Sequence, residues 1–196
     1  MFANRFTAFV DACVLAGALK RNLLLTLAEA EFFRLRWSPE VLDETEAAIG
    51  RILRAKGAAD AVDRAARARR AMEQAFEESS VGDFEEFLPA CRNLPDPNDA
   101  HVVAAALKTR ASTIVTDNLK HFPKDRLAKL NMDVRSADAF IADTIALDPG
   151  RAVAAIRTMR ERLKRPDKTA DALLLDMEAD GLLETVDTLR SYAHLL

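Results

Sequence analysis

Four acidic residues stand where a parallel α/β sheet would deliver its chemistry. Asp11 closes the apolar run 6–10, and Asp117 closes the run 112–116, with Asn118 beside it. Asp99 opens a helix expected from Ala100, and Glu44 lies about one turn inside a helix expected after Ser38-Pro39. Ligands of such sheets gather at the carboxyl ends of the strands. Convergent carboxylates suit hard divalent cations such as Mg²⁺, and two such ions can clamp the attacking and leaving oxygens of a phosphodiester. Without a cation the carboxylates repel one another, which raises the pKa of at least one, so metal affinity should weaken as pH falls. Plainer roles exist for each acid. Asp96 before Pro97 has the signature of a helix N-cap, and Asp99 then falls in a first turn favoured by the helix dipole. Glu44 sits between Asp43 and Glu46 on a charged, solvated helix face. Asp11 is harder to dismiss, because it ends an apolar strand.

The elements that must position these residues can be read from local patterns. Residues 6–10 form a short buried strand. Leu15, Leu19, Leu23 and Leu27 recur every fourth residue and place a helix over 12–30, with a break near Asn22. Residues 32–37 form a candidate second strand. Ser38 and Pro39 are an N-cap and first helical residue, and that helix runs to about Gly57. An Ala- and Arg-rich helix covers 58–78, and a strand is expected around 87–92. A Pro-rich turn at 94–99 leads into a small, apolar, buried helix over 100–109. Ser112–Thr116 is a strand of the kind found in parallel sheets, 132–135 a last short strand, and 138–146 a helix. Strands alternating with helices predict an α/β layer fold with a mostly parallel central sheet. Asp148-Pro149-Gly150 marks a boundary between a first domain, 1–148, and a small all-helical extension, 149–196. In the extension, Val153, Ile156, Met159 and Leu163 mark an amphipathic helix broken by Pro166. Two shorter helices follow, over 169–179 and 182–192, separated by Gly181.

The bulk numbers bound the function. The 196 residues carry a net charge of -3, which argues against bulk electrostatic attraction to nucleic acid or an acidic membrane. A nucleic-acid site must then be a local patch or rely on bound cations. Two cysteines without a CxxC pair, and three histidines, argue against a zinc or disulfide scaffold. No apolar run is long enough to span a membrane, and the N-terminus lacks a signal-peptide layout. A cytoplasmic location is the expectation.

The stretch Cys91–Leu107, with Asp96-Pro97-Asn98-Asp99-Ala100-His101 at its centre, and the run Ile114–Pro123 resemble the second half of a PIN domain. Phe9-Val10-Asp11-Ala12 and Trp37–Thr45 resemble its first half. The resemblance covers roughly 5–146 and is to VapC-type toxins, including longer ones with an added helical C-terminal region. It implies a PIN-like α/β/α sandwich and a Mg²⁺- or Mn²⁺-dependent endoribonuclease. In such a hydrolase a metal-activated water attacks the RNA phosphodiester, leaving a 5′-phosphate and a 3′-hydroxyl. Asp11, Glu44 and Asp99 match the three core acids, with Asp11 and Asp99 as principal metal ligands. Glu44 is a third ligand or holds the attacking water. Thr116 matches a Thr or Ser that orients a carboxylate or the substrate phosphate. Many members carry Asp where this chain has Asn118. Here the acid stands at Asp117, so the fourth position is filled by Asp117, by the carbonyl of Asn118 or by Asp96. The resemblance also implies a cognate antitoxin whose tail covers the acidic pocket, in a type II toxin–antitoxin system, with RNA as substrate; the sequence itself indicates no membrane partner and leaves a homodimer open.

Other features have two readings each. Arg64, Arg67, Arg69 and Arg70 contact RNA or form a solvated helix face. Lys120, His121, Lys124 and Arg126 should rim the acidic site. His101 reaches the site or packs. Cys13 and Cys91 read as small buried hydrophobes, and Phe32, Phe33 and Trp37 as core or interface. Arg157, Arg160, Arg162, Lys164, Arg165 and Lys168 make the C-terminal region basic. The alternative function is a catalytically weak or inactive PIN module that binds RNA or protein, motivated by Asn118. A haloacid-dehalogenase-type phosphatase needs an acid where Cys13 stands, and a Rossmann or P-loop nucleotide site needs glycine motifs that are missing.

Overall fold

The computed structural model describes residues 6–91, 94–163 and 167–196. Along the chain run β1 (Thr7–Val10), α1 (Ala12–Leu15), α2 (Ala18–Glu29), β2 (Arg34–Arg36), α3 (Pro39–Ala55), α4 (Ala61–Ala75), α5 (Ala100–Lys108), β3 (Thr113–Val115), α6 (Lys124–Ala128), β4 (Asp133–Arg135), α7 (Ala137–Leu147), α8 (Pro149–Arg162), α9 (Ala170–Ala179) and α10 (Leu183–Arg190). Short 3-10 turns cover Glu77–Ser79, Glu85–Cys91, Pro97–Asp99, Leu119–His121 and Ala193–Leu195.

The contacts divide the chain into two compact units. One joins the segment ending at Gly17 to Arg34–Arg135, and the other joins Ala18–Phe33 to Ser136–Leu196. The first unit is built on a four-stranded sheet in the order β2-β1-β3-β4, with every pairing parallel. Its central strands are apolar on both faces, as a sheet covered on both sides requires: Ala8, Phe9, Val10, Ile114 and Val115 are all fully buried. The middle of helix α5 is apolar, and Val102 through Ala106 are buried accordingly. Helix α3 starts as its sequence dictates, with the Ser38 hydroxyl accepting from the Val41 amide at 3.3 Å and Pro39 at the first position.

The register explains how distant residues meet. Val10 pairs with Val115, and the ladder continues one step as the Asp11 amide donates to the Val115 carbonyl at 3.0 Å. The next two residues, Asp11 and Thr116, therefore leave adjacent strand ends side by side.

The second unit is helical. Leu23, Leu24 and Leu27 of α2 are fully buried, α2 packs on α7 and α8, and Phe33 meets Phe140 edge to face at 4.9 Å. Helix α10 takes its cap from another helix: the Asp138 carboxylate accepts from the Glu184 and Thr185 amides at 2.9 and 2.8 Å. Gly181, at φ 80°, ends the α9 segment in the left-handed conformation that a side chain resists. Among the described residues, basic side chains of the C-terminal segment are engaged within this unit. Arg157 pairs with Glu161 at 2.9 Å, Arg162 with Glu29 at 3.4 Å and Lys168 with Asp176.

Three expectations need correction. The first helical segment breaks at Ala16-Gly17 rather than at Asn22, which lies inside α2. Glycine costs a helix interior roughly 1 kcal/mol against alanine, more than asparagine does. Residues 85–91 form a 3-10 helix, not a strand, with Pro89 inside it. Proline cannot donate to a ladder, which suits this segment to lie against α5 instead. The second strand is confined to Arg34–Arg36, and Trp37 continues it only as a bridge to Ser80. Arg92, the end of the expected strand 87–92, lies outside the described residues, as do Lys164, Arg165 and the helix breaker Pro166.

Candidate active site

Asp11 is buried, with 5% of its surface exposed, and its Oδ2 is held by two neutral donors. The Thr116 hydroxyl donates to it at 2.6 Å and the Cys13 thiol at 3.2 Å. Thr116, itself fully buried, accepts in turn from the Asn118 amide at 3.1 Å. Cys13 lies 3.3 Å from the Thr116 hydroxyl and accepts from the Asp117 amide at 3.3 Å. The strand-end acid is thus fixed by the turn that leaves β3. Burial, then the charge of Asp11, pushes the Cys13 thiol up to about 12, so it remains a thiol at neutral pH. Reading Cys13 only as a small hydrophobe is corrected here. It borders the acid, two residues along the chain.

Asp99 ends the 3-10 turn that precedes α5, and its Oδ2 lies 2.8 Å from Nδ1 of His121. Against an ionised carboxylate, which only accepts, the ring nitrogen is the donor. Burial raises the Asp99 pKa above the usual carboxylate value, the charges of Asp11 and Asp96 add to the rise, and His121 opposes it. Asp96 caps the turn as expected, accepting from the Asn98 amide at 2.9 Å through Oδ1, while its Oδ2 lies 3.9 Å from His121 Nδ1. Asp96, Asp99 and His121 each offer one ligand atom within 4.8 Å of the other two, a spacing that can hold a cation.

Glu44 projects from α3 with half its side chain exposed, and its Oε1 lies 3.1 Å from His101 Nε2. Burial alone would lower the His101 pKa. The hydrogen bond and charge of Glu44, with the charges of Glu40 and Asp11, outweigh it and raise the value. The charge of Asp11 is a minor contributor to the raised values of both Asp99 and His101. Asp117 and Asn118 are exposed on the turn after β3, and the Asn118 carbonyl accepts from the His121 amide at 2.9 Å. Lys120, Lys124 and Arg126 are exposed just beyond it.

Two histidines out of three in the chain thus touch acids of the site. The sequence marks His121 only as a basic rim residue and leaves His101 between the site and packing. The signal for both is proximity in sequence: His101 lies two residues after Asp99, and His121 three after Asn118. On helix α4, Arg69 bonds Asp43, Glu46 at 3.2 Å and Glu73 at 3.0 Å, and Arg67 reaches Asp60 at 3.4 Å.

Residues 7–120 match the PIN domain family and residues 137–191 match the VapC50 C-terminal domain family. The first match takes in more than half of the chain, which belongs to the PIN-domain family. Among curated proteins, the chain is similar to "Putative ribonuclease VapC50" of Mycobacterium tuberculosis, with 40% identity over 76 residues. That alignment spans 39% of this chain and 45% of the relative, less than half of each. No solved structure matches the chain. Among the described residues, no helix is long and apolar enough to cross a membrane.

Proposed function

We propose that this chain is a divalent-metal-dependent endoribonuclease and the toxin of a type II toxin–antitoxin pair. The observation that carries the reading is Asp11, a buried carboxylate at the end of β1 that is held in place by the Thr116 hydroxyl and the Cys13 thiol. Carboxylate oxygens suit Mg²⁺ or Mn²⁺, and a cation would relieve the repulsion between them. Asp11 and Asp99 would hold it, with Glu44 and Asp117 as further carboxylates at the rim. Such an ion supplies charge neutralisation of the phosphate and a lowered pKa for water. The chain's own residues do the positioning. Thr116 and Cys13 fix Asp11, His121 fixes Asp99, and Lys120, Lys124 and Arg126 offer cationic contacts to the RNA backbone. The products are a 5′-phosphate and a 3′-hydroxyl. The cognate antitoxin covers the acidic pocket, and the work is done in the cytoplasm.

The test is cleavage of total cellular RNA by purified protein with Mg²⁺ or Mn²⁺, beside Asp11→Ala, Asp99→Ala and EDTA. Defined fragments that vanish in both variants and in EDTA support the proposal. Intact RNA from folded, antitoxin-free protein under every metal condition favours the non-catalytic PIN module instead, with Asn118 at the fourth position as its cause.

A further inference from the structure

His101 combines three observations that packing does not explain. It is the second residue of α5, two positions from Asp99, yet its Nε2 reaches across to α3 and lies 3.1 Å from Glu44 Oε1. Its other ring nitrogen, Nδ1, is buried and has no hydrogen-bond partner. Its partner Glu44 is half exposed. A buried polar atom left unsatisfied costs stability. A ring kept only to fill space would be replaced at no loss by an apolar side chain.

We infer that His101 is a positioning residue, which donates through Nε2–H to Glu44 and holds that carboxylate toward the metal pocket. The inference rests on the metal-binding reading of the site. The carboxylate accepts only, so the proton belongs on Nε2 and Nδ1 carries the bare lone pair. Glutamate has one of the larger side-chain entropies, up to about 2 kcal/mol when fully fixed. A half-exposed glutamate without a fixed donor would sample several rotamers. Because His101 rides on the helix that Asp99 opens, the bond ties the Glu44 carboxylate to the turn carrying Asp99, and two of the three acids gain a common anchor. Partners of this kind typically change metal affinity by 10- to 100-fold when removed (roughly, as seen in metalloenzymes).

The experiment is a double-mutant cycle in Mn²⁺ affinity by calorimetry on the full chain: wild type, His101→Ala, His101→Gln, Glu44→Ala, and His101→Ala with Glu44→Ala. His101→Ala should weaken Mn²⁺ binding about tenfold. His101→Gln, whose amide nitrogen can stand in for Nε2, should recover most of that loss. In the Glu44→Ala background, His101→Ala should change nothing further. A parallel ¹⁵N spectrum of the metal-free protein at mildly alkaline pH should show a protected His101 Nε2–H resonance that Glu44→Ala abolishes. Equal losses in both backgrounds, a His101→Gln variant as weak as His101→Ala, or unchanged affinity in His101→Ala would each overturn the inference while leaving the metal reading intact. A wild-type chain that keeps the resonance and binds no Mn²⁺ overturns the metal reading and, with it, the role assigned to Glu44.

Discussion

Thr116→Val removes one oxygen and keeps the shape. The lost group is the hydroxyl that donates to Asp11 at 2.6 Å, between two residues with 0% and 5% exposure. Hydrogen bonds to charged groups contribute about 1.5–3 kcal/mol. The Asn118 amide also loses its acceptor, which adds to the cost. Cys13 still donates to Asp11, so the carboxylate is not stripped bare. The net destabilisation of the metal-free protein should be about 2 kcal/mol. For a chain of this size about 1 kcal/mol corresponds to roughly 2–4 °C, so Tm should fall by about 4–8 °C. Thr116→Ser is the control: it keeps the hydroxyl and loses one buried methyl, about 0.8 kcal/mol. The assay is thermal unfolding of the three proteins in EDTA. A Thr116→Val protein as stable as Thr116→Ser would refute the claim that this hydroxyl, rather than packing, fixes the strand-end acid.

Further outcomes follow from the same geometry. Asp99 has a raised folded-state pKa, so the metal-free protein should gain stability as pH falls through that value, where the folded state takes up a proton before the unfolded state does. Asp99→Asn should flatten this rise in Tm-against-pH curves, and a slope of opposite sign tied to Asp99 would contradict it. Mn²⁺ affinity should fall over the same pH window, since protons and metal compete for the carboxylate; calorimetry against pH reads this directly. Cys13, pushed up to about 12, and Cys91, also raised by burial, should resist maleimide at neutral pH in native protein and react only on unfolding. Mass spectrometry after brief labelling decides it, and rapid native labelling of Cys13 would count against the geometry around Asp11. Asp138→Ala should cost about 1 kcal/mol by uncapping α10, read as a lower Tm.

The parts of the fold written in short-range signals were legible. Ser38-Pro39, Asp96-Pro97 and Gly181 mark a helix start, a cap and a helix end by local stereochemistry, and each does so in the structure. The apolar runs of β1 and β3 announced a buried parallel sheet. Segment 85–91 was not legible. Its apolar residues fit a strand, and only Pro89 and packing on α5 decide for a 3-10 helix. At the site, Asp11 and Thr116 could be paired because strand ends in a parallel sheet are adjacent. The contacts of Thr116 with Asp11 and Cys13, and the reach of His101 to Glu44, depend on register and helix placement across long sequence separations. No local spacing encodes those.

The most direct test of a metal centre built on Asp11 and Asp99 is anomalous scattering from crystals grown with Mn²⁺. The account predicts a Mn²⁺ peak within bonding distance of carboxylate oxygens from both residues. A peak held by Asp96 and His121 away from Asp11, or none at saturating Mn²⁺, would contradict it.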